Sequence, residues 1–317
     1  MNLTISQDDL KKSATTYKKQ LLMTPIISSE ETLRHFTPRP GVAGREIVAE
    51  LSGNIELGPY DPNRVDNDGV TADARTLETF LGSVVKRFDV NTAAKSVFGE
   101  NVAQGNQLTT ADLALQVLTF LSGQLGKKLN EVLWTAKRND SGTQTKDLFD
   151  GFDTITKQEI DKNSIATGKG NLVEFAAPIT KTNAVDTLMD FYEAAAPELQ
   201  GVQTKLFVPF SVYQAYNRDY ATRFNATPYN KEFSKTFLEG TQNLCELVPL
   251  VSKKGSDYVH LTTKSNMLYG YGAGLAHENI EIEKHHEFLL SYVATMFFGT
   301  QFESIQKERL FVGKLHA

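Results

Sequence analysis

One run of apolar residues constrains this chain more than any other feature. Ala114, Leu118, Leu121, Leu125, Leu129, Val132 and Ala136 recur every three or four positions, which places them on one face of a helix. Thr109 with Asp112 is close to a capping box, with Asp where Glu or Gln is usual. The spacing predicts a helix over Thr110–Arg138, on the order of 40 Å long at 1.5 Å per residue. Its apolar stripe is expected to be buried against a sheet. Gly123 and Gly126 lie inside it, each costing roughly 1 kcal/mol relative to alanine, and should allow bending or close packing.

Before the helix, Asp8–Met23 reads as a short amphipathic helix, and Ser28–Gly41, with Pro38 and Pro40, as an extended arm. In Arg45–Gly58, Ile47, Ala49 and Leu51 share one face by the period of two. Ser52-Gly53-Asn54 offers a turn, and Ile55 and Leu57 resume the alternation. An isolated hairpin is marginal in water, so this one must lean on its own body or on a neighbouring subunit. Gly58–Asp73 reads as loop. Thr76–Asn91 reads as helix, from Leu77, Phe80, Leu81, Val84, Val85 and Phe88.

After the long helix comes a short knot, Leu148-Phe149-Asp150-Gly151-Phe152-Asp153-Thr154-Ile155. From Thr180 the pattern is α/β. Val185–Tyr192 is a helix, and Lys205–Val208 is a buried strand that turns through Pro209-Phe210-Ser211 into the helix Val212–Ala221. Further strands are expected over Glu246–Val251, Tyr258–Thr262, Glu278–Lys284, through Phe297, and over Leu310–Val312.

Composition excludes several classes of function. The 317 residues are 40% hydrophobic and 22% charged, which suits a folded protein with one large domain or two smaller ones. A net charge of −5 lacks the basic footprint of a nucleic-acid reader. The single cysteine, Cys245, rules out an intrachain disulfide and a multi-thiolate zinc site, and suggests a reducing compartment. No secretory signal is expected from the first ten residues. Phe288–Phe298 is far short of the roughly 20 apolar residues that span a bilayer.

The candidate chemical motifs fail on context. Gly270-Tyr-Gly-Ala-Gly274 resembles a phosphate loop, but a strand-like segment follows it where a helix N-terminus is needed. Thr167-Gly-Lys-Gly170 is half a P-loop, with Asn163 in place of the upstream glycine. Asp66-Asn-Asp-Gly69 fails as an EF-hand because Arg64 and Arg75 occupy the end ligand positions. Glu283, His285 and Glu287 share a strand face but read as a polar surface, and Cys245 reads as a small core residue. The aromatics of Phe207–Tyr229 lack the interleaved cations of a base-stacking platform.

Taken in order, arm, hairpin, long helix, knot and strand–Pro–helix unit resemble the major capsid proteins of tailed bacteriophages, the Hong Kong ninety-seven type of shell fold. The knot is similar to that family's segment after the spine helix. Leu206–Tyr220 is similar to its strand–Pro–helix unit, and Ser265-Asn-Met-Leu-Tyr-Gly270 to a late strand segment. The resemblance implies an α+β capsid fold. It divides the chain into an N-terminal helix and arm (1–41), an extended hairpin loop (42–75), a peripheral domain with the spine helix 110–138 (76–179), an axial domain (180–274) and a return to the periphery (275–317).

The function it implies is structural rather than enzymatic, with no catalytic, cofactor-binding or metal-binding residues. Copies of the chain would assemble as hexamers and pentamers into the icosahedral shell of a virion, in the host bacterial cytoplasm. The shell would enclose double-stranded DNA without sequence-specific binding. Portal, scaffolding or decoration proteins are further expected partners, and a membrane is not. Inter-subunit contacts are expected at Pro38, Pro40, Ile47, Ala49, Leu51, Ile55 and Leu57, and the spine-helix core at Leu118, Leu121, Leu125, Leu129 and Val132.

Two departures bear on chemistry. The stretch before the arm is short, so the cleaved scaffolding region of some relatives is not expected. No lysine occurs between Lys19 and Lys86, so the loop-lysine crosslink of other relatives is not expected. Two alternatives fit the same residues, a bacterial nanocompartment shell of the same fold and a soluble α/β enzyme whose site the sequence does not reveal.

Overall fold

The computed structural model describes residues 7–52, 60, 71–89, 110–224, 236–284, 286 and 289–316. The N-terminal segment is two helices rather than one, α1 (Gln7–Thr16) and α2 (Lys18–Ser28). The arm is extended only in its last part. A helical turn, α3 (Glu30–Leu33), precedes strand β1 (Thr37–Pro40). In β1 the prolines are exposed, while Thr37 and Arg39 are half-buried. Pro38 and Pro40 have no N–H to give, so they fit the outward positions of an edge strand.

Strands β2 (Arg45–Ser52), β3 (Thr71–Glu78) and β4 (Phe80–Asp89) follow. The helix expected over Thr76–Asn91 is therefore absent, and β3 and β4 occupy that stretch. Phe80, Val84 and Phe88 are four apart, a spacing that fits one helix face and equally one face of a strand. Pairing decides between them, because all ten residues of β4 lie antiparallel against Leu289–Phe298, where β-branched Val84 and Val85 suit a pleated surface.

The long helix, α4 (Thr110–Val132), has 23 residues and stops six short of the expected end. The turn that follows it is held by the knot. The amides of Gly151, Phe152 and Asp153 bond to the carbonyls of Ala136, Leu133 and Trp134 at 2.9, 3.4 and 2.9 Å. The knot thus ties down the chain just past the spine and opens the next helix, α5 (Phe152–Asp161). Gly151 is needed there, since a Cβ on it would lie 2.5 Å from the Trp134 carbonyl oxygen. Gly126 lets α2 approach, where a Cβ would meet the Pro25 carbonyl oxygen at 2.3 Å.

The remainder is β5 (Leu172–Glu174), α6 (Ala184–Glu193), α7 (Pro197–Gln200), β6 (Thr204–Pro209), α8 (Phe210–Arg223), β7 (Cys245–Leu250), β8 (Tyr258–Thr262), β9 (Met267–Tyr271), β10 (Asn279–Lys284), β11 (Leu289–Phe302) and β12 (Leu310–Lys314). Two five-stranded sheets result. One runs β1-β9-β11-β10 with β4 also on β11, and the other runs β5-β12-β8-β6-β7. The 14-residue β11 organises the first sheet, pairing with β4 over Leu289–Phe298, β10 over Leu290–Thr295 and β9 over Phe298–Phe302.

Three main apolar clusters hold these layers. The central one joins both sheets to the knot and the end of α4, through Leu129, Trp134, Phe149, Phe152, Phe207 and Phe298. A second packs α6 and α8 on the β6–β8 sheet. In the third, Ala114, Val117 and Leu118 of α4 meet α1, α2 and Ile280, Leu290 and Tyr292 of the first sheet. The spine's apolar face is therefore shared between two helices and a sheet.

Candidate assembly surfaces

β2 and β3 form the hairpin, with Arg45 opposite Glu78, Ile47 opposite Thr76 and Val48 opposite Arg75. Gly53 and Asn54 of the expected turn lie outside the described residues. The partner of β2 is Thr71–Glu78, not the segment around Ile55 and Leu57, which lie outside the described residues. The inner face explains this choice of partner. Val48 and Leu77 are buried and pack on Leu268 of β9. Arg75 Nη2 donates to Glu159 Oε1 and Gln301 Oε1, both at 3.1 Å. Gln306 Nε2 donates to Asp73 Oδ2 at 2.6 Å.

The outer face is bare. Ile47 is 74% exposed, and Ala49 is exposed beside it. Leu51 follows in register opposite Ala72. The hairpin leans on its own body by one face and presents apolar side chains on the other, the reverse of what burial within one chain would select. Pro38 and Pro40 line the exposed edge of the first sheet.

The corner between β3 and β4 fixes the hairpin's angle. Thr79 is 3% exposed; its N–H donates to Gly44 O at 2.7 Å and its hydroxyl to Val42 O at 3.0 Å. Gly44 N–H donates back to Thr79 Oγ1 at 3.0 Å. Beneath it, Gly270 and Gly299 are opposite each other on β9 and β11. A Cβ on Gly299 would lie 1.9 Å from Glu78 O, and one on Gly270 would lie 2.6 Å from Thr79 Cγ2. The paired glycines make a saddle in which the hairpin's root sits.

Along the spine, Leu118 is fully buried and Leu129 nearly so. Leu121, Leu125 and Val132 are partly buried beside the same clusters. Ser122 Oγ lies 2.9 Å from Tyr292 Oη in the buried contact with β11.

The glycine-rich stretch that resembles a phosphate loop cradles an anion of its own. The amides of Gly274 and Leu275 donate to Glu278 Oε2 at 2.6 and 3.2 Å, and Phe297 N–H donates to Oε1 at 2.9 Å. Glu278 is 3% exposed, so the nest is filled from within the chain. Cys245 is buried, and burial pushes its thiol up to about 12, so it is unreactive. Among the described residues no group of three or more His, Cys, Asp or Glu could hold a metal ion. No helix among them is long and apolar enough to cross a membrane.

Comparison with solved structures gives the class of fold. The "Capsid of native GTA particle" matches with a TM-score of 0.59 at 10% identity, covering 90% of this chain and 90% of that one. The "Satellite phage P4 procapsid including size determination (Sid) protein" matches at 0.58 and 11% identity, covering 94% of this chain and 98% of that one. A structure from "Gordonia phage Cozz" matches at 0.53 and 11%, covering 93% and 87%. No protein-family model and no curated protein matches the sequence. The chain has the α+β major capsid fold of tailed bacteriophages, of the Hong Kong ninety-seven type. Its structural neighbours are shell proteins of capsids.

Proposed function

We propose that this chain is the structural subunit of a tailed-phage head. It assembles with copies of itself, as hexamers and pentamers, into an icosahedral shell around double-stranded DNA that it does not read by sequence. One observation carries this reading beyond the fold. The hairpin's inner face is satisfied within the chain, while its outer face offers Ile47 and Ala49 to solvent. In a shell that face docks on a neighbouring copy, with Pro38 and Pro40 at a second contact. Arm 1–41, hairpin 42–75, peripheral parts 76–179 and 275–317 and axial part 180–274 are the divisions this reading assigns. Shell assembly in the host cytoplasm, with portal and scaffolding or decoration proteins, belongs to the same proposal.

The test is expression of the full chain, followed by size-exclusion chromatography and negative-stain microscopy. Closed shells are expected. A monomer at every concentration, with nothing assembled from infected cells either, overturns the reading. Particles from infected cells that protect double-stranded DNA from nuclease support the phage head. Particles filled with protein and no DNA would instead support a nanocompartment.

A further inference from the structure

Four side chains from distant parts of the chain meet under the end of the spine. Asp153 opens α5, Lys253 follows β7, His260 lies in β8, and Trp134 is just past α4. Lys253, His260 and Trp134 are fully buried, and Asp153 is 7% exposed. Lys253 Nζ is 3.0 Å from Asp153 Oδ1, 2.9 Å from Ser256 Oγ and 3.2 Å from His260 Nδ1. The Trp134 ring centroid is 3.7 Å away.

The hydrogen-bond directions fix the histidine tautomer. Thr156 donates its hydroxyl to Phe152 O at 2.8 Å, so towards His260 Nε2, at 2.9 Å, it accepts. Nε2 therefore carries the proton, and Nδ1 is a bare acceptor facing the lysine. Asp153 Oδ2 is buried without any hydrogen-bond partner. A carboxylate half-satisfied in an aromatic setting is a costly ground state. Burial pushes Lys253 down to about 8 and raises Asp153, both towards the uncharged amine and acid.

We propose that Lys253 and Asp153 condense into an intrachain isopeptide bond. The Nζ lone pair attacks Asp153 Cγ, forming the Nζ–Cγ bond. The Cγ–Oδ1 bond breaks, and its electron pair leaves with the oxygen. Ammonium and carboxylate together release one water, which takes two of the three ammonium protons and leaves one on the amide nitrogen. No oxidant or co-reactant is required. His260 Nδ1, in contact with Nζ and 4.0 Å from Asp153 Oδ1, accepts a proton as the nitrogen attacks and passes it to the departing oxygen. Loss of water from a dry site drives the step. The product removes a buried charge pair, and Oδ2, which has no hydrogen-bond partner, stays as a neutral amide oxygen in place of half a carboxylate. It staples α5 to the β7–β8 segment across the central core. Because the bond is within one chain, it neither needs nor creates a link between subunits, and it does not depend on the shell reading.

Intact-mass spectrometry of the denatured full chain tests this directly. The expected mass is lower than the sequence mass by about 18 Da, one water, and a branched tryptic peptide should join the Asp153 and Lys253 segments. Lys253→Met should restore the full mass. Asp153→Asn should still condense, losing ammonia instead, and His260→Gln should slow the appearance of the bond. A cyclised Asp150-Gly151 would give the same deficit on a linear peptide, so fragment sequencing separates the two. The full sequence mass in both fresh and aged wild-type protein, or a deficit confined to linear peptides, overturns the proposal whatever the variants do.

Discussion

The saddle under the hairpin makes a sharp prediction. In Gly299→Ala the new Cβ would sit 1.9 Å from Glu78 O, 2.9 Å from Glu78 C and 3.1 Å from Thr79 Cα. All three are backbone atoms, so no side chain can rotate away. Real Cβ contacts essentially never fall under 3.0 Å, so the Glu78 peptide must retreat by about 1.1 Å, the difference from 1.9 Å. That peptide is bracketed by Thr79, whose bonds to Gly44 and Val42 run at 2.7 to 3.0 Å. The retreat therefore swings the hairpin's root or breaks those bonds. Overpacking of this kind costs roughly 1–3 kcal/mol, and each kcal/mol lowers Tm by about 2–4 °C in domains of 150–250 residues. The apolar clusters are untouched, so the variant should fold with a Tm several degrees lower and a misdirected hairpin. Differential scanning fluorimetry should show the shift, and microscopy should show loss of closed shells. Gly270→Ala should be milder, because it meets the Thr79 and Leu77 side chains rather than backbone. Gly168→Ala, with nothing within 4 Å, is the control. Wild-type Tm and normal shells in Gly299→Ala would refute the reasoning.

The sequence shows what repeats locally and hides what meets at a distance. The spine was legible because Leu118, Leu121, Leu125 and Leu129 repeat at helical spacing. Its end was not, because Leu133, Trp134 and Ala136, which continue the apolar spacing, give their carbonyls to the amides of the following knot, Gly151, Phe152 and Asp153, instead of to a further helical turn. β4 resembles a helix in sequence because residues four apart satisfy both periods, and the deciding partner, β11, lies some two hundred positions later. The hairpin's first strand was visible as Ile47, Ala49 and Leu51. Its partner, Thr71–Glu78, was hidden because what anchors it, Arg75 on Glu159 and Gln301 and Leu77 beside Leu268, lies far away in sequence. The glycine-rich stretch fails as a phosphate loop on context, and the carboxylate that its amides do hold, Glu278, looks from sequence like part of a strand. The Asp153, Lys253 and His260 cluster left no mark in the sequence, since its members come from three segments with no shared spacing.

The remaining predictions separate assembly from folding. Ile47→Asp changes a side chain that is 74% exposed, so the unfolding free energy should hold to within about 0.5 kcal/mol while shells disappear; intact shells would remove the hairpin from the interface. Leu118→Ala opens the fully buried face of the spine and should cost about 2–5 kcal/mol in denaturant unfolding; an unchanged midpoint would contradict its place in the core. Boiled particles should run as one band near 35.2 kDa, with or without reductant, because residues 42–75 offer only Arg45, Arg64 and Arg75, which stay protonated and cannot replace a lysine nucleophile; a ladder of multimers would refute this. Acid should loosen the fold through its buried histidines. Burial, then the nearby Lys205 charge, lowers His35 from 6.5 to about 4, and burial, then Lys253, lowers His260 well below 6.5. Between these values the unfolded chain binds protons that the folded chain refuses, so stability falls as pH drops from about 6.5 towards 4. The side chain of His35 lies edge-on to Phe207, 6.3 Å away, and His35→Gln should flatten that slope while leaving stability at pH 8 comparatively little changed. A variant whose stability falls with acid as steeply as the wild type over this window would show that His35 takes up its proton in the folded state.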